Sequence, residues 1–215
     1  MNAIEQVRQS IGQEIFDYTQ LMMALIQYKK PRDVVTDLLK KNQIVRVRKG
    51  LYLFGPLWRR NAFATETLAN LVYGPSVISL EYALSWYGLI PEHVYSITSV
   101  TTGRSREFDT PAGRFAYVQI PVGKYAWGIT LHGSAPVTWL MTEPLKALAD
   151  KVWTDKRFRS VSSNSFRDYL FSDLRIDETL LEGFFRNSDC QSLEKVYNSQ
   201  KISLMLRYLK KYFGN

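Results

Sequence analysis

The stretch from Pro31 to Phe54, PRDVVTDLLKKNQIVRVRKGLYLF, changes its hydrophobic period halfway along, and that change constrains the fold more than any other part of the chain. Val34, Val35, Leu38 and Leu39 recur at the spacing that puts one apolar stripe on a helix, with Pro31 suited to its first turn. Arg32, Thr36, Lys40 and Lys41 are left pointing outward. After Asn42 the period becomes that of a strand: Val45 and Val47 alternate with Arg46 and Arg48, Lys49-Gly50 makes a turn, and Leu51 to Phe54 returns. A basic-faced helix feeding a hairpin with cations at its tip is what a winged helix offers DNA.

The fit is geometric and electrostatic. A major groove about 12 Å wide admits one helix whose outer side chains reach base edges, while a wing lies over neighbouring phosphates. Phosphate contacts position such a protein and a few helix residues specify sequence. Asp33 and Asp37 point the other way, toward an ordinary solvated helix face, because a carboxylate near phosphate is repelled. An Asp can instead accept from a cytosine amine.

Charge is distributed unevenly. The net charge is +8, and residues 1–60 carry 11 Lys or Arg against 5 Asp or Glu, while the other 155 residues carry 17 against 15. The excess sits where the winged helix is expected, and such a local field favours a polyanion with steep salt dependence. A chain of 215 residues is long for one winged helix, so two units are expected, 1–58 and 61–215. The start, MNAIEQVRQSIG, is polar and helical in pattern, and no long apolar span follows, which predicts a cytoplasmic protein without a membrane partner. The single cysteine, Cys190, excludes an internal disulfide and a Cys-rich zinc site.

Taken in order, Ile4, Val7 and Ile11 give a first helix its stripe, with Gly12 as its stop. Glu14 to Tyr18 reads as a short strand, and Thr19 as the N-cap of a helix in which Leu21, Met22, Leu25 and Ile26 pack inward, ending near Tyr28. Helix, strand, helix, helix, hairpin is the winged-helix order. Pro56 and Trp58 to Asn61 form the junction, where Arg59 and Arg60 read as a solvated linker more readily than as phosphate contacts. A helix from Ala62 to Tyr73 ends at Gly74-Pro75, and Ser79 caps another carrying Leu80, Ala83, Leu84 and Tyr87. Strands are expected at Tyr95–Thr101, Arg104–Asp109, Arg114–Ile120, Ile129–Leu131 and Val137–Met141, as antiparallel neighbours, with Thr110-Pro111-Ala112-Gly113 as a hairpin turn. Thr142 caps a helix through about Trp153, and the tail from about 162 is helical, with stripes such as Leu180, Leu181, Phe184 and Ile202, Met205, Leu206, Leu209. The expected class is α+β: a winged helix-turn-helix, a mixed domain with an antiparallel sheet and helices, and a helical tail.

No catalytic, cofactor or metal site is expected. The glycines near Lys124 lack the spacing of a phosphate loop. His93 and His132 lie far apart without a carboxylate or Cys pattern, and Cys190 lacks a partner base. Glu107 and Asp109 share a strand face, a pair that a metal-dependent nuclease would use with Lys124, although such acids are usually solvent decoration. The 13 Tyr and 5 Trp are scattered among apolar stripes and form no stacking platform for single strands.

Four segments in succession carry a resemblance: RVRKGLYLF at 46–54, YGPSVISLEYALSWYGLIPE at 73–92, SVTTGRSREFDTPAGRFAYVQIP at 99–121 and LKALAD at 145–150. Together they resemble the AbiEi family, the antitoxin and autorepressor half of type IV toxin-antitoxin (abortive infection) operons. Leu145 stands where that family commonly has Glu, and the helical tail matches nothing in it. The resemblance implies a winged helix that binds inverted repeats in double-stranded DNA at its own promoter. It also implies a second domain that counters a nucleotidyltransferase toxin without a stable complex. Because single winged helices gain specificity as two copies on repeated half-sites, a monomer or weak dimer that is cooperative on DNA is expected. Carried onto this chain, it implies DNA-facing positions at Lys30, Arg32, Thr36, Lys40, Lys41, Arg46, Arg48 and Lys49, and a partner or antitoxin surface at Arg104 and Arg106. The competing reading is a winged-helix regulator whose second domain senses a ligand or a protein.

Overall fold

In the computed structural model, which describes residues 2–159, 162 and 165–214, helix α1 (Ala3–Ser10) opens on a reciprocal cap. Asn2 accepts from the Glu5 N–H, and the Glu5 carboxylate accepts from the Asn2 N–H. Strand β1 (Ile15–Asp17) leads directly into α2 (Tyr18–Ala24), and here the cap differs from expectation. Asp17, two residues before Thr19, caps α2 through a matching exchange with Gln20, because a carboxylate with Gln three residues on satisfies two orphan groups at once. The helix also stops earlier, at Ala24, so Ile26 is 78% exposed instead of packing inward.

Helix α3 (Pro31–Lys40) starts on Pro31, as expected, and buries Val35 and Leu38. Strands β2 (Ile44–Arg48) and β3 (Leu51–Phe54) follow, turning at Gly50, whose φ of +87° suits a residue without a Cβ. The pairing slips between Arg46 and Arg48, a local bulge. Gly55 locks this hairpin to the end of α3: a Cβ there would lie 1.8 Å from the Asn42 carbonyl oxygen. The observed order is therefore helix, strand, helix, helix, hairpin, in a three-stranded sheet ordered β1-β3-β2.

Strand β3 is buried on both faces, and its alternation divides the interior. Tyr52 and Phe54 join Ile4, Val7, Leu21, Leu25, Val35, Leu38 and Ile44 in a small core. Leu51 and Leu53, with Val47, face the other way into the large core of the remaining chain. The N-terminal unit is thus docked through the back of its own hairpin, across the expected junction at 58–61. Arg8 and Glu14, an ion pair at 2.8 Å with both side chains buried, reinforce that junction, since Glu14 also accepts from the Arg60 and Asn61 backbone N–H groups.

After helix α4 (Thr65–Val72) come β4 (Ser76–Ile78), α5 (Leu80–Trp86), β5 (Ile97–Thr101), β6 (Arg106–Thr110), β7 (Gly113–Gln119), α6 (Val122–Tyr125), β8 (Ile129–Ser134) and β9 (Val137–Thr142). The six strands order as β6-β7-β5-β4-β9-β8. The expected all-antiparallel arrangement is corrected: β5 runs parallel to β7 and β4 parallel to β9. The β6-β7 hairpin inserts its second strand beside β5, which makes that pair parallel. Where short β4 leaves β9 unpaired, the Asn70 carboxamide takes over, accepting from the Leu140 N–H at 2.6 Å and donating to its carbonyl at 3.3 Å.

Helix α7 (Pro144–Thr154) is buried on nearly every side. Thr142 does not cap it; Glu143 holds that position, and Thr142 is the buried end of β9. Ser79 occupies the N-cap position of α5 without a side-chain cap, and Thr98 of β5 does the capping by accepting from the Tyr82 N–H. The expected start of the tail near 162 falls among residues 160, 161, 163 and 164, which lie outside the described residues. From there α8 (Ser165–Arg167) runs into a π-helical segment (Asp168–Asp173), followed by α9 (Glu178–Arg186), α10 (Cys190–Tyr197) and α11 (Gln200–Tyr212). Their stripes enter the large core, except that Leu180 is 40% exposed. No helix among the described residues is long and apolar enough to cross a membrane.

Candidate nucleic-acid interface

Helix α3 is held from within its own unit. Its buried residues, Val35 and Leu38, belong to the small core and none enters the large one. The opposite face carries Arg32, Thr36 and Lys40 at successive i, i+4 positions, with Lys30 before the helix and Lys41 after it, all exposed. The Thr36 hydroxyl donates to the Arg32 carbonyl at 3.1 Å, which steadies the middle of that line. Asp33 and Asp37 are also exposed, on the neighbouring line of the helix.

The hairpin adds Arg46, Arg48 and Lys49, likewise exposed. Among the described residues, none of the cations at Lys30, Arg32, Lys40, Lys41, Arg46, Arg48 and Lys49 forms an ion pair with a carboxylate. Elsewhere Arg8, Arg114, Lys146, Lys151, Arg175 and Arg186 each hold an acid, while others such as Arg60, Arg104 and Lys210 have no acid partner among the described residues. An exposed lysine or arginine without a countercharge attracts anions, and seven on one small unit sum to a local positive field.

The structure also brings together two groups that are far apart in sequence. The Arg48 guanidinium stands 5.8 Å from the centre of the Phe108 ring on β6, and Arg106, also on β6, stands 5.7 Å from the Tyr73 ring. Tyr73, Phe108 and Tyr117 form one aromatic cluster with ring centres 5.2–5.8 Å apart. Cation–ring contacts of this length orient the guanidinium without neutralising it. Beneath them Tyr117 donates its hydroxyl to the Ala69 carbonyl at 2.6 Å, and burial pushes its pKa far up, so that the cluster stays uncharged. Arg104, in the loop before β6, is exposed and unpaired among the described residues.

No family model and no curated protein matches this chain. The fold is similar to that of a protein of known structure. The crystal structure of the Rv2827c protein from Mycobacterium tuberculosis is similar at a TM-score of 0.60 and 13% identity, over 96% of this chain and 75% of that one. The likeness spans both units and the tail, and at that identity it is a likeness of fold alone.

The other sequence candidates are differently placed. Glu107 and Asp109 both face Arg114, at 2.9 and 3.4 Å, while Lys124 lies over the Trp153 and Tyr197 rings. His132 contacts the Tyr87 and Thr130 hydroxyls, and burial holds its imidazole below its ordinary pKa. Burial pushes the Cys190 thiol up, with Asp189 adding to the effect. Among the described residues no cluster of His, Cys, Asp or Glu could hold a metal ion.

One polar group escaped the sequence reading entirely. Lys146 and Asp150, one helical turn apart on α7, are both fully buried, with the ammonium 2.6 Å from the carboxylate. Ser79 and Tyr197 complete the cage, donating to Asp150 at 2.7 and 2.5 Å. Burial lowers the Lys146 pKa and Asp150 opposes that shift. In sequence such a pair looks like a solvated i, i+4 couple; the only signal is its apolar flank, Leu145, Ala147, Leu148 and Ala149. Leu145, where the resembling family has Glu, is 1% exposed and part of the large core.

Proposed function

We propose that residues 2–58 form a winged helix that reads duplex DNA, with α3 in the major groove and the β2-β3 hairpin over phosphates, and that the chain represses its own operon as a type IV antitoxin of the AbiEi kind. The observation that carries the DNA reading is the set of exposed cations on α3 and the hairpin, none paired with an acid among the described residues, on a helix anchored only in its own unit. Thr36 and Arg32 sit where a groove-bound helix meets base edges, and Arg46, Arg48 and Lys49 where a wing meets the backbone. Inverted repeats at the promoter suit two copies of a single reader, cooperative on DNA.

The antitoxin part rests on the resemblance in the segments at 46–54, 73–92, 99–121 and 145–150. Its cognate toxin would be a nucleotidyltransferase, opposed without a tight complex, with Arg104 and Arg106 as the surface involved. The test of the DNA reading is an anisotropy titration of the whole chain against duplex from upstream of its own reading frame and against a shuffled duplex. Equal affinity for the two would end it.

Toxin co-expression then separates the two activities. Removing residues 1–60 is the wrong tool, because Val47, Leu51 and Leu53 belong to the shared core and their loss would uncover it. The full chain with Arg32→Glu, Lys40→Glu and Lys41→Glu keeps that core. Continued rescue with DNA binding abolished places the antidote outside the reader; loss of rescue together with DNA binding assigns both to one surface.

A further inference from the structure

Where the two units meet at the β1 side, the surface opens into a cleft of about 370 Å³. Its walls come from chain segments remote in sequence: the lead-in to β1, the junction at 61–63, helix α4 and the turn between β8 and β9. Ile15, Phe63, Leu71, Pro136 and Val137 make it largely apolar. Leu71 is 52% exposed although Leu68, Ala69 and Val72 of the same helix are wholly buried, so α4 leaves one leucine facing this opening.

The polar lining is uncharged in effect. No lysine or arginine lines the cleft, in a chain of net charge +8. Glu14, its one ionisable group, is discharged by Arg8 at 2.8 Å and by the N–H groups of Arg60 and Asn61. What remains for a ligand is the Gln13 carboxamide, which has no hydrogen-bond partner among the described residues, and that of Asn61, whose contact to Glu14 is long at 3.5 Å. A charged molecule would lose hydration here and meet no countercharge. An uncharged one with an amide would bury apolar surface and pair with both carboxamides.

The size falls in the range of small-molecule sites, which favour junctions between units. A broader groove of about 670 Å³ shares Gly12, Gln13 and Pro136 with it and runs to Met23, 69% exposed, so a longer molecule has room to continue. We infer that this cleft is a binding site for an uncharged, mainly apolar small molecule bearing an amide, which bridges the N-terminal unit and the sheet domain. The site does not depend on whether the cationic face binds DNA.

The test titrates the ¹⁵N-labelled full chain with N-butylbenzamide, and in parallel with its 4-carboxylate and 4-aminomethyl derivatives, one anionic and one cationic. The expected result is saturable shifts at the Gln13 and Asn61 side-chain amides and at the Leu71 and Val137 backbone, with both charged derivatives binding at least tenfold more weakly. Leu71→Arg, at a half-exposed position, should weaken the neutral probe at least tenfold, with folding checked by circular dichroism. Gln13→Ala, on an exposed residue, should weaken it several-fold and serves if Leu71→Arg fails to fold. Absence of saturation, shifts centred elsewhere, equal affinity for the charged derivatives, or variants that bind like the parent would each overturn the site.

Discussion

The surface of α3 and the interior of α7 use the same residue types in opposite ways. On α3 and the hairpin the cations stand exposed and form no ion pair among the described residues, so their field is free to act outward. On α7 a lysine has no exposure at all and survives because a carboxylate lies within 2.6 Å, itself satisfied by Ser79 and Tyr197. An unpaired charge is useful at a surface and intolerable in a core. The difference therefore separates cations available to a partner from cations committed to the fold.

Breaking the buried side should give the largest effect. Asp150→Ala leaves the Lys146 ammonium buried and uncompensated, for an expected loss of about 3–5 kcal/mol in urea unfolding. Lys146→Met combined with Asp150→Asn should be more stable than Asp150→Ala, because no charge is then stranded; the asparagine oxygen accepts from one of the Ser79 and Tyr197 hydroxyls and its NH2 donates to the other, once that hydroxyl has turned its proton away. If the double variant is no better, burial of charge is not what the cage manages.

The exposed side should show little stability change and a large binding change. Arg32→Ala is expected to lose ~1–3 kcal/mol of preference for the upstream duplex over the shuffled one. Lys49→Ala should weaken both duplexes alike and flatten the logarithmic salt slope by ~0.9. Unfolding free energies of both should stay within ~0.5 kcal/mol of the parent, the usual range for surface positions away from packed features. An Arg32→Ala protein that keeps its discrimination would move base reading off α3.

These two regions were also unequally legible in the sequence. The period change between Leu39 and Val45 marks α3 and the hairpin, since a buried stripe on a helix and alternation on a strand are both local patterns. That Leu51 and Leu53 serve a different core from Tyr52 and Phe54 is not local: four apolar residues in a row state that β3 is buried twice, not against what. The three-residue β4 is too short to carry a period, and without it the parallel β4-β9 pair cannot be foreseen. The convergence of Arg48 and Arg106 on one aromatic cluster depends on that docking, so the sequence offers them only as separate basic patches.

The smallest expected effect tests whether half-buried uncharged contacts obey the same rule as the caged lysine. His132 Nε2 lies 2.8 Å from the Thr130 hydroxyl and 3.1 Å from that of Tyr87, and those hydroxyls donate onward to the carbonyls of Met141 and Thr142. With both hydroxyl protons committed, Nε2 carries a proton, as it does in the neutral Nε2–H tautomer. Burial agrees, holding the folded pKa below the ordinary 6.5. In the unfolded chain the group takes a proton as pH falls through about 6.5, while the folded chain resists. The stability His132 contributes is therefore present above that pH and is lost as pH falls toward the lower folded value. Urea midpoints measured at pH 7.5 and 5.5 should fall less in His132→Gln than in the parent, the carboxylates being common to both. An equal fall in the two proteins would mean that the ring titrates alike folded and unfolded, and that Tyr87 and Thr130 hold it no more firmly than water does.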